Sequence, residues 1–156
     1  MKMFFLIKIH IILIIMVKTY KSPIEAFHEL ICYTSAHSDP SFIHQNAVDA
    51  FAVQYADENT KNITLIFGLI GLYLHMEKNF TGKEVQNAHV KLGKFKRKWP
   101  VFTLPKIRSE ITVYNVISTP EGNERDETIE KWCASVWDAY SHVHTEIAFL
   151  VQRELW

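Results

Sequence analysis

Apolar side chains recur every three or four positions along most of this 156-residue chain, as they do in amphipathic α-helices. The most informative stripe contains His44. Val48, Phe51 and Tyr55 fall on the same predicted helix face as His44, whereas Asp49 points away from it. A core-facing imidazole needs a hydrogen bond, a metal ion or a solvated cleft, since unpaired buried polar atoms cost roughly 1–3 kcal/mol. The pattern therefore predicts a helix with a polar group on its buried face.

Start and stop signals bound several of the predicted helices. A serine N-cap followed by proline begins the first helix, and a Thr-x-x-Glu capping box begins the fourth. The second is predicted to run from Asp39 to about Ala56, the fourth to about Lys98, and the last from Asn123 to about Glu154. These patterns predict an all-α fold, a single helical bundle of four long helices plus one or two short ones.

The third predicted helix, residues 61–79, is apolar on nearly all sides, which is typical of a helix at the centre of a bundle. Gly68 and Gly71 would weaken an exposed helix by roughly 1 kcal/mol each. We therefore expect a neighbouring backbone to approach closely at these two glycines. His75 lies one turn beyond Gly71 on the same side of the helix.

Composition favours one globular domain with a substantial core, because 48% of the residues are apolar and 22% are charged. We divide the chain into an apolar leader, residues 1–20, and a single helical domain, residues 21–156. The apolar run Met3–Val17 is shorter than the roughly 20 residues that span a bilayer. Three interpretations of the leader stay open: translation that truly starts at Met16, an uncleaved membrane anchor, and a signal peptide or buried strand. The first predicts a cytoplasmic protein, and the second predicts a protein anchored in a membrane through residues 3–17.

Charge is unevenly distributed although the formal net charge is zero. Residues 83–108 carry eight basic side chains and one acidic, whereas residues 109–156 carry three basic and nine acidic. The basic cluster at the end of the predicted fourth helix suits the negative end of the helix dipole, and it predicts a solvated face near the acidic last helix. Contact with a protein partner, including a second copy of the chain, is an alternative. Nucleic-acid binding is not favoured, because the chain has neither overall basicity nor a recognised fold for it.

The two cysteines, Cys32 and Cys133, belong to no Cys-x-x-Cys pair and fall on or beside apolar stripes. This arrangement predicts two reduced, buried thiols of the kind found in cytosolic proteins. A single disulfide or a redox pair is the alternative.

Histidines on several predicted helices are candidates for one shared site. His28, His44, His75 and His144 are predicted to meet between the first, second, third and last helices, where a bundle can hold a divalent metal such as Zn, Ni or Fe. The residues predicted to line or support this pocket are Glu29, Asp49, Gln54, His89, Trp137 and Tyr140. The leading interpretation is therefore a metal or small-molecule site, with no motif that names a reaction. The alternative is a non-enzymatic interaction module whose histidines are structural.

Four short segments carry a family resemblance: Phe42–Gln54, which contains His-Gln-x-x-Val-Asp-Ala-Phe, Gly71–Glu77, Trp99–Pro100 and Trp132–Trp137. Together they resemble an uncharacterised bacterial family known only as a domain of unknown function, over about residues 26–150. The resemblance implies small cytosolic proteins that begin just before the first helix, which supports Met16 as the start. Some relatives carry an N-terminal Cys-x-x-Cys pair, which this chain lacks. The family implies no activity.

Overall fold

Seven α-helices make up most of residues 19–37 and 39–156, the part of the chain that the computed structural model describes. In chain order they are α1 (Pro23–Ala36), α2 (Ile43–Gln54), α3 (Asn62–Lys78), α4 (Gly82–Gly93), α5 (Val113–Ser118), α6 (Asn123–Ala139) and α7 (His144–Leu155). A 3-10 turn, Ser141–Val143, separates α6 from α7, and the described residues contain no strand. The predicted all-α helical bundle is confirmed.

The predictions for leader residues 1–18 lie outside the described residues. Across residues 19–37 and 39–156, every helix is too short or too polar to cross a lipid bilayer.

Helices α2 and α3 lie at the centre of the bundle. α2 packs against α1, α3, α4 and α6, and α3 packs against α2, α4, α6 and α7. α3 buries nearly every side chain from Leu65 to Leu74, which confirms the central position predicted from its apolar pattern. Each large aliphatic side chain removed from water in this way stabilises the fold by roughly 1.5–3 kcal/mol.

The close approach of α2 and α3 depends on two glycines. A Cβ atom on Gly68 would lie 2.6 Å from Val53 Cγ2, and one on Gly71 would lie 2.0 Å from Asp49 Oδ2. Both distances are far below ordinary van der Waals contact, so the packing requires a residue without a side chain at each position. The close approach predicted for Gly68 and Gly71 is confirmed.

This packing buries a different face of α2 from the one that the apolar stripe predicts. The buried residues of α2 are Ile43, Asn46, Ala47, Asp49, Ala50, Val53 and Gln54. His44 and Phe51 are only half-buried, so the prediction that the His44 face enters the core while Asp49 points away is wrong. The physical reason is the size of the side chains, because Ala47 and Ala50 on the Asp49 face let α3 come closer than Phe51 would.

The buried face of α1 is not the one that would carry His28 and Cys32 inward, as predicted for both residues. It consists of Ala26, Leu30 and Thr34, whereas His28 and Cys32 are exposed. Both cysteines are free thiols, but only Cys133 is buried, so the prediction of two buried thiols is wrong for Cys32. This face can pack inward for two reasons. Ala26 is small, and the hydroxyl of Thr34 is satisfied within the helix because it donates to Leu30 O at 3.1 Å.

The helix α2 begins four residues later than predicted, because a tight turn precedes it. Asp39 Oδ1 accepts from Ser41 N at 2.9 Å and Oδ2 accepts from Ile43 N at 2.7 Å, so Asp39 caps a tight turn and α2 begins at Ile43. Phe42 adopts a left-handed conformation with a φ of 58°. Gly82 packs directly on the Phe42 carbonyl oxygen, from which a Cβ would lie only 1.9 Å. This contact holds the turn between α3 and α4 against the start of α2.

Two further helices are shorter than predicted. α4 ends at Gly93, a poor helix former, and residues 94–112 that follow contain no helix or strand. The predicted last helix is broken after Ala139 into α6 and α7. Tyr140 turns into the core at this break, where its hydroxyl donates to Val53 O at 3.0 Å.

Candidate functional site

A polar cleft of about 340 Å³ opens between the start of α2, the end of α3 and α6. Its lining residues are Ser41, Asn46, His75, Met76, Asn79, Phe80, Thr81 and Glu130. α3 ends here because Asn79 adopts a left-handed conformation and Phe80 N donates to Leu74 O at 3.0 Å. This C-cap turns the chain back over His75 and forms one wall of the cleft.

His75 has a hydrogen-bond partner at each ring nitrogen. Nδ1 donates to Phe80 O at 2.7 Å, and Nε2 lies 2.6 Å from Glu130 Oε2. Burial alone would lower the pKa of His75, but the hydrogen bonds to Glu130 and Phe80 and the charge of Glu130 together raise it. The last turn of α3 also favours a cation through the helix dipole. His75 is therefore protonated more readily than a free histidine, and its protonated ring donates to both Phe80 O and Glu130.

Glu130 forms the solvent side of this pair. Its side chain is 44% exposed, whereas the side chain of His75 is 15% exposed. Because Glu130 is anchored from α6 and His75 from α3, the pair links two helices across the cleft mouth. A long, half-exposed carboxylate can rotate away, and that movement would open His75 Nε2 to the cleft.

Asn46 supplies the most unusual atom in the cleft. The residue is 4% exposed, and its Nδ2 lies 3.3 Å from His75 Nε2. Its Oδ1 is buried and has no hydrogen-bond partner among the described residues. Buried polar atoms are nearly always paired, so the unpartnered amide oxygen of a residue that lines the cleft is a candidate ligand contact.

Asp49, a predicted pocket residue, is buried between α2, α3 and α4 and does not line the cleft. Gln45 Nε2 donates to its Oδ1 at 3.1 Å, whereas its Oδ2 has no hydrogen-bond partner within the described chain and lies 3.9 Å from His89 Nε2. Burial raises the pKa of Asp49 well above its usual range, against the bond from Gln45, which lowers it. Its carboxyl therefore favours the neutral form.

The other predicted ligands have separate structural partners. His44 Nδ1 lies 2.9 Å from Thr34 Oγ1 on α1, and burial lowers the pKa of His44. His144 donates from Nε2 to Trp137 O at 2.9 Å and stacks on the Trp137 ring, with centroids 3.7 Å apart. His28 is exposed on α1.

The structure does not bring the four predicted metal ligands together. Within residues 19–37 and 39–156, no three His, Cys, Asp or Glu side chains are grouped so that they could hold a metal ion. The predicted shared histidine site is corrected accordingly. The rotation of each helix about its own axis explains this result. α1 presents His28 to solvent and α2 presents His44 to α1, so that of these four residues only His75 lines the cleft.

The remaining predicted pocket residues tie helices and loops together. Gln54 accepts from Trp132 Nε1 at 2.8 Å and donates to Ile111 O at 2.7 Å. His89 donates from Nε2 to Phe67 O at 3.0 Å, and burial lowers the pKa of His89 against the effect of that bond. Trp137 Nε1 donates to a carboxylate oxygen of α3, Tyr140 holds the end of α2, and Glu29 is half-buried on α1. None of these five residues lines the cleft.

Sequence reasoning missed Asn46 and Glu130. One signal could have identified Asn46, since it shares a helical face with Asp49 and with the small residues Ala47 and Ala50, which mark close packing. Glu130 carries no comparable signal, because it is one of several acidic residues on a solvated stretch of α6.

Comparison with known proteins places the chain in a family without assigning an activity. The model of the family described as "Family of unknown function (DUF5946)" matches residues 22–141. No curated protein and no solved structure gives a significant match. The family match includes α1 to α6 and every lining residue of the cleft. Because it covers well over half of the sequence, this chain belongs to the DUF5946 family.

Proposed function

We infer that this protein binds a small polar molecule in the cleft beside His75. The observation that carries the proposal is the juxtaposition of the His75–Glu130 pair, 2.6 Å apart, with the unpartnered Oδ1 of Asn46. The cleft volume of about 340 Å³ is at the lower end of the range of small-molecule pockets, which begins near about 300 Å³. The ligand is therefore small.

The polar atoms of the cleft define the chemistry of the ligand. Asn46 Oδ1 accepts a hydrogen bond and so requires an N–H or O–H on the ligand. His75 Nε2–H donates to a carbonyl or carboxylate once Glu130 rotates away. A primary carboxamide carries both an acceptor and a donor on one planar group, and it is the simplest group that satisfies both residues.

Two of the other polar residues that line the cleft, Ser41 and Thr81, already have partners within the protein. Ser41 Oγ donates to Asp39 Oδ1 at 2.6 Å, and Thr81 Oγ1 lies 3.0 Å from Glu84 Oε2 in the capping box of α4. Both hydroxyls are therefore engaged within the protein. Phe80 O fixes Nδ1–H of His75, so Nε2 is the nitrogen that gives or takes a proton at the ligand.

The experiment uses probes that differ only in their polar group. Ring-nitrogen NMR spectra of the histidines would be recorded with propionamide, propionate and propylamine, in the parent and in Asn46→Leu. We expect a saturable shift of the His75 Nε2 signal with propionamide, a weaker effect of the other two probes, and loss of the propionamide effect in Asn46→Leu. The Leu variant keeps the branched arrangement of four side-chain heavy atoms while removing the acceptor.

His142→Gln is the matched control. His142 is exposed and donates from Nε2 to Thr103 O at 2.9 Å, outside the cleft, so its replacement should leave the propionamide response unchanged. Equal responses to all three probes, or a response that survives Asn46→Leu, would contradict the proposal. If stoichiometric Zn²⁺ perturbed the His75 signal, the cleft would be a metal site and the proposal of a small polar ligand would be contradicted.

A further inference from the structure

The irregular segment after α4 forms an exposed surface that is both basic and apolar. Residues 85–109 contain seven basic side chains and no acidic one. Within this stretch Phe95 is 70% exposed and Val101 is 83% exposed. Phe149 on α7, 76% exposed, lines the same surface groove as Val101, together with Lys98 and Arg153.

Lys98, Val101, Phe149 and Arg153 line one groove, and residues 94–96 lie beside it along the chain; we call this whole set the basic patch. Its members are Lys94, Phe95, Lys96, Lys98, Val101, Phe149 and Arg153. The groove that runs through it measures about 1060 Å³ and lies between residues 98–103 and α7. Arg97 pairs with Glu154, and Lys91 Nζ donates to Leu155 O at 3.1 Å. These two contacts hold the lysine-rich segment beside the end of α7.

The charges of the patch are largely free to interact with a partner. Lys94, Lys96 and Lys98 are exposed and form no ion pair within residues 19–37 and 39–156. The acidic side chains nearby are Glu146, which lines the groove, and Glu154, which is paired with Arg97 and with Arg153 of the patch. Single exposed apolar residues are ordinary on protein surfaces, but three of them between four basic side chains are not.

We propose that the basic patch docks on an anionic lipid surface. Lysines near such a surface strengthen binding by roughly fivefold each, and apolar side chains that project outward enter the headgroup region. Phe95, Val101 and Phe149 are largely exposed, so their apolar groups are available to the headgroup region of a bilayer. The positive charges of the basic patch complement the negative headgroups of phosphatidylglycerol or phosphatidylserine. The protein would associate with the membrane surface without spanning it.

Vesicle flotation with the full chain tests the proposal. One set of vesicles is pure phosphatidylcholine, and the other contains equal parts of phosphatidylcholine and phosphatidylglycerol. We expect strong, salt-sensitive binding to the anionic vesicles alone. Lys94→Gln/Lys96→Gln/Lys98→Gln should weaken it by roughly a hundredfold. Phe95→Ser/Val101→Ser should weaken it by at least tenfold.

A matched control separates the patch from the rest of the chain. Lys21→Gln/Ile24→Ser changes one exposed lysine and one 47% exposed isoleucine at the start of α1, and it should bind like the parent. Far-ultraviolet circular dichroism of every variant shows that the fold persists. Vesicle binding that is unaffected by the patch substitutions would overturn the proposal. So would saturable binding of a polyglutamate peptide or of RNA by a protein that ignores anionic vesicles.

Discussion

The carboxyl group of Asp49 on α2 occupies the space where a side chain on Gly71 of α3 would lie. A Cβ atom at position 71 would be 2.0 Å from Asp49 Oδ2 and 2.6 Å from its Cγ. The two central helices therefore meet at a buried carboxyl group on one side and bare backbone on the other. Any increase in size at Gly71 must displace either Asp49 or the helix itself.

Replacement of Gly71 by alanine should destabilise the protein. Helix propensity alone favours alanine by about 1 kcal/mol, but overpacking in a tight core costs typically about 1–3 kcal/mol, and here the contact is with a buried polar group. We expect a net decrease in the free energy of unfolding, measured by urea denaturation.

Gly93→Ala is the control for that substitution. Gly93 ends α4, and a Cβ there would have no neighbour within 4 Å, so propensity acts alone. This variant should be more stable than the parent by about 0.5–1 kcal/mol. If the two alanine variants had equal stability, the tight packing at Gly71 would be refuted.

The buried Asp49 predicts a specific dependence of stability on pH. Its pKa in the fold lies above that of the unfolded chain, so the protonated form stabilises the fold. This contribution is present below the unfolded pKa of about 3.9 and is lost as the pH rises toward the folded pKa. Asp49→Asn cannot titrate, so its stability relative to the parent should increase as the pH is raised.

Urea denaturation of both proteins from about pH 4 to pH 7 measures this difference. The lowered pKa of His44 makes both proteins less stable as the pH falls, and because His44 is not in contact with the Asp49 carboxyl this effect largely cancels in the comparison. A constant difference between parent and variant across the range would mean that Asp49 does not titrate as proposed.

The sequence predicts the fold of this chain better than it predicts the site. Caps, capping boxes and apolar periodicity depend on neighbouring residues, and they identified α1, the central α3 and the start of α4. The two glycines of α3 also predicted a tertiary contact. Glycine lowers the stability of a helix, so its presence there indicated that a neighbouring backbone packs closely. The break at Tyr140 escaped prediction, since the hydroxyl partner, Val53 O, lies 87 positions away.

The site depends on helix rotation, which a single sequence specifies poorly. His28 and Cys32 share an apolar stripe with Ile24 and Ile31, yet α1 packs through Ala26 and Leu30. Small residues that permit close approach decided the buried face of both α1 and α2. Counting large apolar residues therefore selected His44 and overlooked Asn46.

The different environments of the two cysteines predict different reactivity. Cys32 is exposed on α1, whereas burial raises the pKa of Cys133 well above its usual range, with a smaller contribution from the charge of Glu130. Because the thiolate is the reactive form, we expect one thiol per native chain to react with an aromatic disulfide reagent, and two after denaturation. Cys32→Ser should abolish the native reaction, whereas Cys133→Ser should preserve it. Fast labelling of native Cys32→Ser would show that Cys133 is accessible.

The elevated pKa of His75 should depend on Glu130. Glu130→Gln retains an acceptor oxygen but removes the charge, so the His75 pKa should decrease, as measured by NMR titration of its ring protons. Glu127→Gln, on an exposed position of the same helix, is the control and should leave the His75 titration unchanged.

Because a raised histidine pKa stabilises the fold below the unfolded value of about 6.5, the parent should be more stable than Glu130→Gln near pH 6. That advantage should disappear as the pH rises through the folded pKa of His75, and an advantage that grows with pH would show that Glu130 contributes through packing and not through its charge.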